Sequence, residues 1–291
     1  MKIGITHPGS LLDHLMATFQ SASKTTVKQR IAHGNVRVNG KLITNPAVIL
    51  KAGDVVEYLK QAVRANKIKP PYRVLYEDDD ILVAVKPAGL LTIGDRGLGG
   101  TSFYREMQAY TRENSKGREQ LFVVHRLDRE ASGILLFAKS EKVQEEIKNH
   151  WTEVRKLYYA LVEGVPKEDM GTVRNWLMEG HDQRVFSVRE QEGAKLAVTR
   201  YRVMDRTPGY ALLEVELETG RKNQIRVHLS EMGCPVVGDR RYGADSRFER
   251  RIRLHAFYLA IRHPVTGRSL EFKSPMPKGF LVLKPEDEHY K

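Results

Sequence analysis

Apolar residues near the start of the chain, Leu11, Leu12, Leu15, Met16 and Phe19, recur at three- and four-residue spacing and predict a short helix with one apolar stripe. From Lys24 to Ala32, Val27 and Ile31 stand four apart while Lys24, Lys28 and Arg30 occupy other faces, and Gly34 supplies a stop signal. This second helix is basic outside. Val36 and Val38 alternate with Asn35 and Arg37, Asn39-Gly40 suits a tight hairpin turn, and Leu42 with Ile43 resumes the strand. A further turn centres on Ala52-Gly53-Asp54, so helix, basic helix, hairpin and short strand form a compact unit ending near Leu59. Gln61 to Tyr72 is basic, lacks apolar periodicity and carries consecutive prolines, as an interdomain linker would.

Beyond the linker, Ile81 to Val85 predicts a strand broken by Lys86-Pro87, and Leu121 to Val124 and Ile134 to Ala138 are further short apolar runs. The segment from Asp95 to Gln120 is a long polar loop with a short helix around Phe103 to Tyr110. Ser140 caps a helix on which Val143, Ile147 and Trp151 follow at four-residue spacing. Strands are expected over Lys156 to Val162, Val198 to Val203, Ala211 to Leu217 and Leu254 to Ile261, with a helix from Gln224 to Met232. Strands that follow one another without crossover helices favour an α+β fold with a mixed, largely antiparallel sheet over a parallel doubly wound one.

With 291 residues, the chain is long enough for two domains. The single cysteine, Cys234, excludes a disulfide scaffold, and an intracellular, cytoplasmic protein is expected. The longest apolar stretches fall far short of the ~18 residues that cross a bilayer. The N-terminus lacks the apolar core of a secretory signal, so no membrane association is expected. Lys and Arg number 48 against 36 Asp and Glu, a formal charge of +12, which points to a polyanionic partner.

No phosphate-loop or dinucleotide fingerprint survives inspection, and no His or Cys cluster offers a convincing metal-ligand set. The densest constellation is His125-Arg126-Leu127-Asp128-Arg129-Glu130-Ala131-Ser132-Gly133, charged residues set between two apolar runs. One reading is a structural turn in which Asp128 accepts backbone hydrogen bonds. The other has the arginines lower the pKa of Asp128 and keep it an anion, ready as nucleophile or base. In Lys156-Leu157-Tyr158-Tyr159-Ala160, alternation sends Lys156 and Tyr158 to one face, and one tyrosine is free to stack on a flat base. In Thr219 to His228, Asn223 is a candidate N-cap and Arg226 falls in the first helical turn. A cation there opposes the helix dipole and calls for an anion, either Asp128 or phosphate, with Arg221 and Lys222 reinforcing the latter. Arg240, Arg241, Arg247, Arg250, Arg251 and Arg253, interleaved with Tyr242 and Phe248, extend the basic character; nucleic acid is the polyanion this fits best.

In chain order, Lys86-Pro87-Ala88-Gly89, the His125 to Gly133 run, Lys156 to Ala160, Thr219 to His228 and Gly238-Asp239-Arg240-Arg241-Tyr242-Gly243 resemble the RluA family of pseudouridine synthases over about Tyr72 to Phe280. Residues 9 to 59 resemble the alpha-L RNA-binding domain first known from a small-subunit ribosomal protein. The resemblance implies an alpha-L domain over 1–60, a linker over 61–72, a catalytic domain with a central RNA-binding cleft over 73–285, and a tail over 286–291. It also implies isomerisation of uridines in structured RNA without a cofactor. Asp128 becomes the catalytic aspartate, Tyr158 the tyrosine that contacts the base, Arg226 the partner of the aspartate, and Arg126 the arginine that helps hold the flipped nucleotide. Arg221 and Lys222, with Lys24, Lys28, Arg30, Arg37 and Lys41 of the N-terminal domain, are expected to contact RNA.

The sequence departs from the family pattern at Ala131, where Thr is usual, and at Asn223, where His is common; the Gly9 to Asp13 opening lacks an Arg often found before Leu-Asp. None of these removes a catalytic group. Large-subunit ribosomal RNA is the expected substrate, with tRNA as the alternative, and a monomer is the expected state. Two competing readings are a non-catalytic RNA-binding or ribosome-assembly protein with a structural Asp128–Arg226 pair, and glycosidic hydrolysis with Glu130 as second carboxylate.

Overall fold

The computed structural model describes residues 1–19, 22–32, 34–59, 68–94, 101–115, 117–245 and 251–281. Most of the expected linker, parts of the 95–120 loop, Arg247, Phe248, Arg250 and the terminal segment lie outside them. The chain divides into two compact units, Met1–Ile68 and Lys69–Lys291.

The first unit contains β1 (Lys2–Gly4), β2 (Gly9–Ser10), α1 (Leu11–Thr18), α2 (Lys24–Ala32), β3 (Val36–Val38), β4 (Lys41–Leu42), β5 (Ile49–Leu50) and β6 (Val55–Tyr58). Ser10 caps α1 by accepting the backbone N–H of Asp13. Leu11, Leu12 and Leu15 of α1 meet Val27 and Ile31 of α2 over a four-stranded sheet ordered β1-β6-β3-β4, while β2 pairs with β5. The β3–β4 turn requires two residues in the left-handed region, and Asn39 (φ 50°) and Gly40 (φ 79°) occupy them. Asn39 also ties this hairpin to the 52–54 turn: its Nδ2 donates to Asp54 and its Oδ1 accepts from the N–H of Val55. Lys24, Lys28, Arg30 and Lys41 are exposed and Arg37 is half-buried.

The second unit runs β7 (Val74–Glu77), β8 (Ile81–Lys86), α3 (Phe103–Asn114), β9 (Phe122–Val123), β10 (Ser132–Ala138), α4 (Glu141–Asn149), β11 (Arg155–Glu163), β12 (Met170–Glu179), β13 (Val185–Val188), β14 (Lys195–Thr207), β15 (Tyr210–Leu217), α5 (Gln224–Glu231), β16 (Leu254–Arg262) and β17 (Ser269–Lys273). Its strands form one sheet in the order β13-β12-β14-β15-β11-β16-β10-β8-β7, with β17 on β16 and β9 on β10. Every pairing is antiparallel except β10 with β16. The fold is therefore α+β with a largely antiparallel sheet. None of the described helices is long and apolar enough to cross a membrane.

Both faces of the sheet are buried at β8 and β10, which explains their unbroken apolar runs. Leu82, Ala84, Leu135 and Phe137 pack towards α3 and α5, and Ile81, Val83, Ile134 and Leu136 pack towards α4. Several elements differ from expectation. Helix α3 extends to Asn114, and α4 ends at Asn149, leaving Trp151 in a 3-10 turn. Strands β7, β12, β13 and β17 carry too few buried residues to be recognised by apolar runs.

The β10–β16 contact sets how the chain leaves the His125 to Gly133 loop. Gly133 has φ 130°, and a Cβ added there would lie 2.3 Å from the carbonyl oxygen of Ala256. Gly133→Ala is expected to destabilise the second unit by about 3 kcal/mol or more, because strain and backbone overlap add. Denaturant unfolding checks this; a loss below ~1 kcal/mol would show that the strand pairing shifts freely.

Candidate active site

Asp128 lies in the loop between β9 and β10, and its flanking backbone is fastened to the segment after β8. The buried Thr92 hydroxyl donates to the carbonyl of Leu127 at 2.7 Å and accepts that residue's N–H at 3.1 Å. On the other side, the carbonyl of Arg129 accepts from the N–H of Gly89 (2.8 Å) and from Lys86 Nζ (3.1 Å). Fully buried Lys86 also donates to the carbonyls of Pro87 and Leu90. Burial lowers its pKa to about 8, opposed by the charges of Asp128 and Glu130. Asp128 is thus held by its neighbours while its own carboxylate stays partly open, 28% exposed.

Arg226 faces it. Its Nη1 donates to Asp128 Oδ2 at 3.2 Å and to Asn223 Oδ1 at 3.1 Å. Its Nε and Nη2 form a two-pronged pair with buried Asp239 at 2.5 and 2.8 Å. The guanidinium lies 5.0 Å from the ring centroid of Tyr242, and Glu130 reaches within 4.0 Å. Burial alone would lower the pKa of Arg226, but Asp239 and then Asp128 raise it overall, so the group stays cationic. The anion called for by a cation in the first turn of α5 is therefore chiefly Asp239, with Asp128 second. Asn223 occupies the N-cap position with φ 53° and makes no side-chain capping bond; its amide instead bridges Arg226 and the Tyr242 hydroxyl. That corrects the capping expectation: the left-handed conformation turns the side chain from the helix N–H groups to the guanidinium.

Tyr158 is buried on β11, within the core cluster that also holds Leu127 and Ile225. Burial and the charge of Asp128 push its phenol upward from the ordinary value. Lys156 does not share that environment. The β16 strand carries one extra residue, Phe257, opposite Leu157 and Tyr158, and the Lys156 ammonium sits 5.2 Å from the ring centroid of Trp151, beside His125. His125 Nε2 accepts the N–H of Leu136. Arg126 is exposed.

Residues 80–231 match the family model for RNA pseudouridylate synthase, and residues 12–56 match the S4 domain, the alpha-L type expected above. The chain belongs to the RluA family of RNA pseudouridine synthases. A Synechocystis protein described as an uncharacterized RNA pseudouridine synthase is 33% identical, covering 90% of this chain and 84% of the relative. Ribosomal large subunit pseudouridine synthase C of Vibrio cholerae is 31% identical, covering 92% and 90%. Synthase D of Pasteurella multocida is 29% identical, covering 97% and 92%. The solved structure of human RNA pseudouridylate synthase domain containing 4 superposes with a TM-score of 0.61 at 26% identity, covering 72% of this chain and 90% of that one.

In this synthase, α5 is fixed to the sheet by a polar chain invisible to pattern reading. Gln224 Nε2 donates to Thr199, the Thr199 hydroxyl donates to His228 Nδ1, and His228 Nε2 donates to Asn175 Oδ1. Asn175 Nδ2 and Ser187 then donate to Glu231. Arg221 and Lys222 are exposed but engaged, Arg221 Nε with the carbonyl of Leu196 and Lys222 with Glu179. The basic residues of the S4 domain belong to the other compact unit. Asp239, Thr92 and Lys86 are parts of the site that pattern reading does not single out, although Asp239 and Lys86 lie inside family motifs.

One group of metal-ligand type occurs among the described residues, Asp78, Asp80 and His263. His263 Nδ1 accepts the N–H groups of Val265 and Thr266, so Nε2 carries the proton and donates to Asp78 at 2.9 Å. The imidazole has no lone pair left for a metal ion.

Thr92→Val leaves both backbone groups of Leu127 without their partner, a cost of about 1–3 kcal/mol. We expect a roughly tenfold lower kcat with a smaller change in KM, and recovery in Thr92→Ser; equal kcat in Thr92→Val would dissociate Thr92 from the loop's positioning. Burial pushes His228 and His255 down to about 4 and His125 to about 3, below their ordinary 6.5. Because these folded-state values are depressed, protonation favours the unfolded chain. Their stability contribution is complete above about pH 6.5 and declines as pH falls towards 4. Melting temperature should be flat from pH 8 to 7 and drop below 6.5, less steeply in His228→Gln; a flat profile down to pH 4 would contradict the burial of these rings.

Proposed function

We propose that this synthase converts uridine to pseudouridine in large-subunit ribosomal RNA, with Asp128 as its catalytic carboxylate. The observation that carries the assignment is the pairing of a partly open carboxylate with a buried, permanently cationic Arg226 that is anchored independently by Asp239. A structural ion pair needs no open carboxylate. A reacting one does.

The reaction breaks the bond from uracil N1 to the ribose, turns the base and joins C5 to C1′; the C5 hydrogen leaves as a proton and N1 takes one up, so that product and substrate are isomers. No net redox change occurs. Flipping the base out of the stack costs a few kcal/mol, offset by phosphate contacts and stacking. Asp128 initiates glycosidic cleavage, and Arg226 holds it in place and balances its charge. The upward-shifted phenol of Tyr158 is neutral near pH 7, which supports stacking under the uracil over service as a phenolate base. Arg126, exposed beside Asp128, holds the displaced nucleotide.

Ribosomal RNA is favoured over tRNA by an S4 domain on a chain of charge +12 and by relatives named for the large ribosomal subunit.

The test offers ribosomal RNA and tRNA transcripts tritiated at uracil C5. Wild-type enzyme is expected to release tritium from ribosomal RNA, and Asp128→Asn to bind it while releasing tritium about 10³-fold more slowly or less. Release from tRNA alone would reassign the substrate, and equal release by Asp128→Asn would remove the catalytic assignment.

A further inference from the structure

Two guanidinium groups lie over the ring of Tyr242, Arg226 at 5.0 Å and Arg184 at 5.6 Å from the centroid. Those distances limit the separation of the two guanidinium carbons to at most 10.6 Å. Their surroundings differ. Arg226 is buried between two carboxylates. Arg184 is exposed, and among the described residues it has no ion-pair partner.

The position of Arg184 is built into the fold. It closes the turn between β12 and β13, where its carbonyl accepts the N–H of Gly180 at 2.8 Å and its N–H donates to Asp182 Oδ1 at 3.0 Å. Arg241 Nη2 fastens the turn from outside by donating to the carbonyl of Asp182 at 2.8 Å. The adjacent Val185 donates its N–H to the Tyr242 hydroxyl at 3.0 Å. Asp239, Arg241 and Tyr242 are close in sequence. One short segment therefore supplies the carboxylate on Arg226, the ring shared by both arginines, and the anchor of the turn that carries Arg184.

An arginine restrained in this way loses little further freedom on binding. A guanidinium fork matches phosphate oxygens in two-pronged geometry. The one acid in the turn, Asp182, directs a carboxylate oxygen to backbone rather than to this guanidinium.

We propose that Arg184 binds a phosphate of the substrate RNA backbone beside the uridine on which Asp128 acts, an inference that rests on the reading of Asp128 given above. The test measures binding of the full chain to in vitro transcribed large-subunit ribosomal RNA as a function of salt, together with tritium release at uracil C5. Arg184→Gln is expected to reduce the slope of log affinity against log salt by about one. It is also expected to weaken binding several-fold near 0.1 M salt and to raise KM more than it lowers kcat. Arg184→Lys should restore the slope without full affinity, since a point charge replaces the fork. An unchanged slope in Arg184→Gln overturns the proposal. So does a lower kcat with an unchanged slope, which assigns Arg184 to holding Tyr242. Equal tritium release by wild type and Asp128→Asn, with the slope still reduced in Arg184→Gln, defeats the reading of Asp128 and leaves the phosphate contact standing.

Discussion

Burying a guanidinium costs several kcal/mol of hydration unless carboxylates and further hydrogen bonds replace the water, and Arg226 meets that condition with four hydrogen bonds. Asp239, the left-handed Asn223 and the ring of Tyr242 are all explained by this requirement. Arg226 also sits in the first turn of α5, where the helix dipole disfavours a cation. The two-pronged pair with Asp239 compensates that position, which leaves one edge of the guanidinium, Nη1, directed at Asp128. A fixed cation is thereby presented to a carboxylate that remains partly open.

The carboxylate is fixed by a different device. Strands β8 and β10 pair along six residues, and the turn after β8 reaches back to the loop that leads into β10. Lys86, Gly89 and Thr92 satisfy backbone groups of Leu127 and Arg129, the residues on either side of Asp128. Rigid sheet and backbone hydrogen bonds set the position, and among the described residues the Asp128 side chain bonds only to Arg226. Gly133 belongs to the same design, because the parallel contact of β10 with β16 brings two backbones too close for a Cβ.

Much of this arrangement is legible in the amino-acid sequence. The helices α1 and α2, the hairpin at Asn39-Gly40 and strands β8, β10, β11 and β16 follow from periodicity and turn chemistry, since their burial is one-sided or complete. Strands such as β12, largely exposed on alternate residues, give no apolar run to read. Charge compensation calls for an anion at Arg226 and offers Asp128 or a phosphate, and the family resemblance selects Asp128. Asp239 is not predictable in this way, because a contact spanning 13 residues through the rest of α5 and the loop after it has no period. The same holds for Thr92, whose hydroxyl acts on backbone 35 residues away. The extra residue that β16 carries at Phe257, opposite Leu157 and Tyr158, likewise leaves no mark in the apolar pattern.

The basic residues of the catalytic unit separate into two physical classes. Arg226 and Lys86 are desolvated and held by fixed acceptors, so their geometry is insensitive to dissolved ions. Arg126 and Arg184 are exposed, and their attraction for an anion is screened by salt. Arg221 and Lys222 stand between, exposed yet tied to a carbonyl and a carboxylate that an incoming phosphate would have to displace. On the roles proposed for these residues, a polyanionic substrate meets the open cations first, while the chemistry is left to Asp128 and the independently anchored Arg226. That division lets affinity vary with ionic conditions without moving Asp128 relative to Arg226, because the bonds that set their separation are buried and are made before RNA arrives.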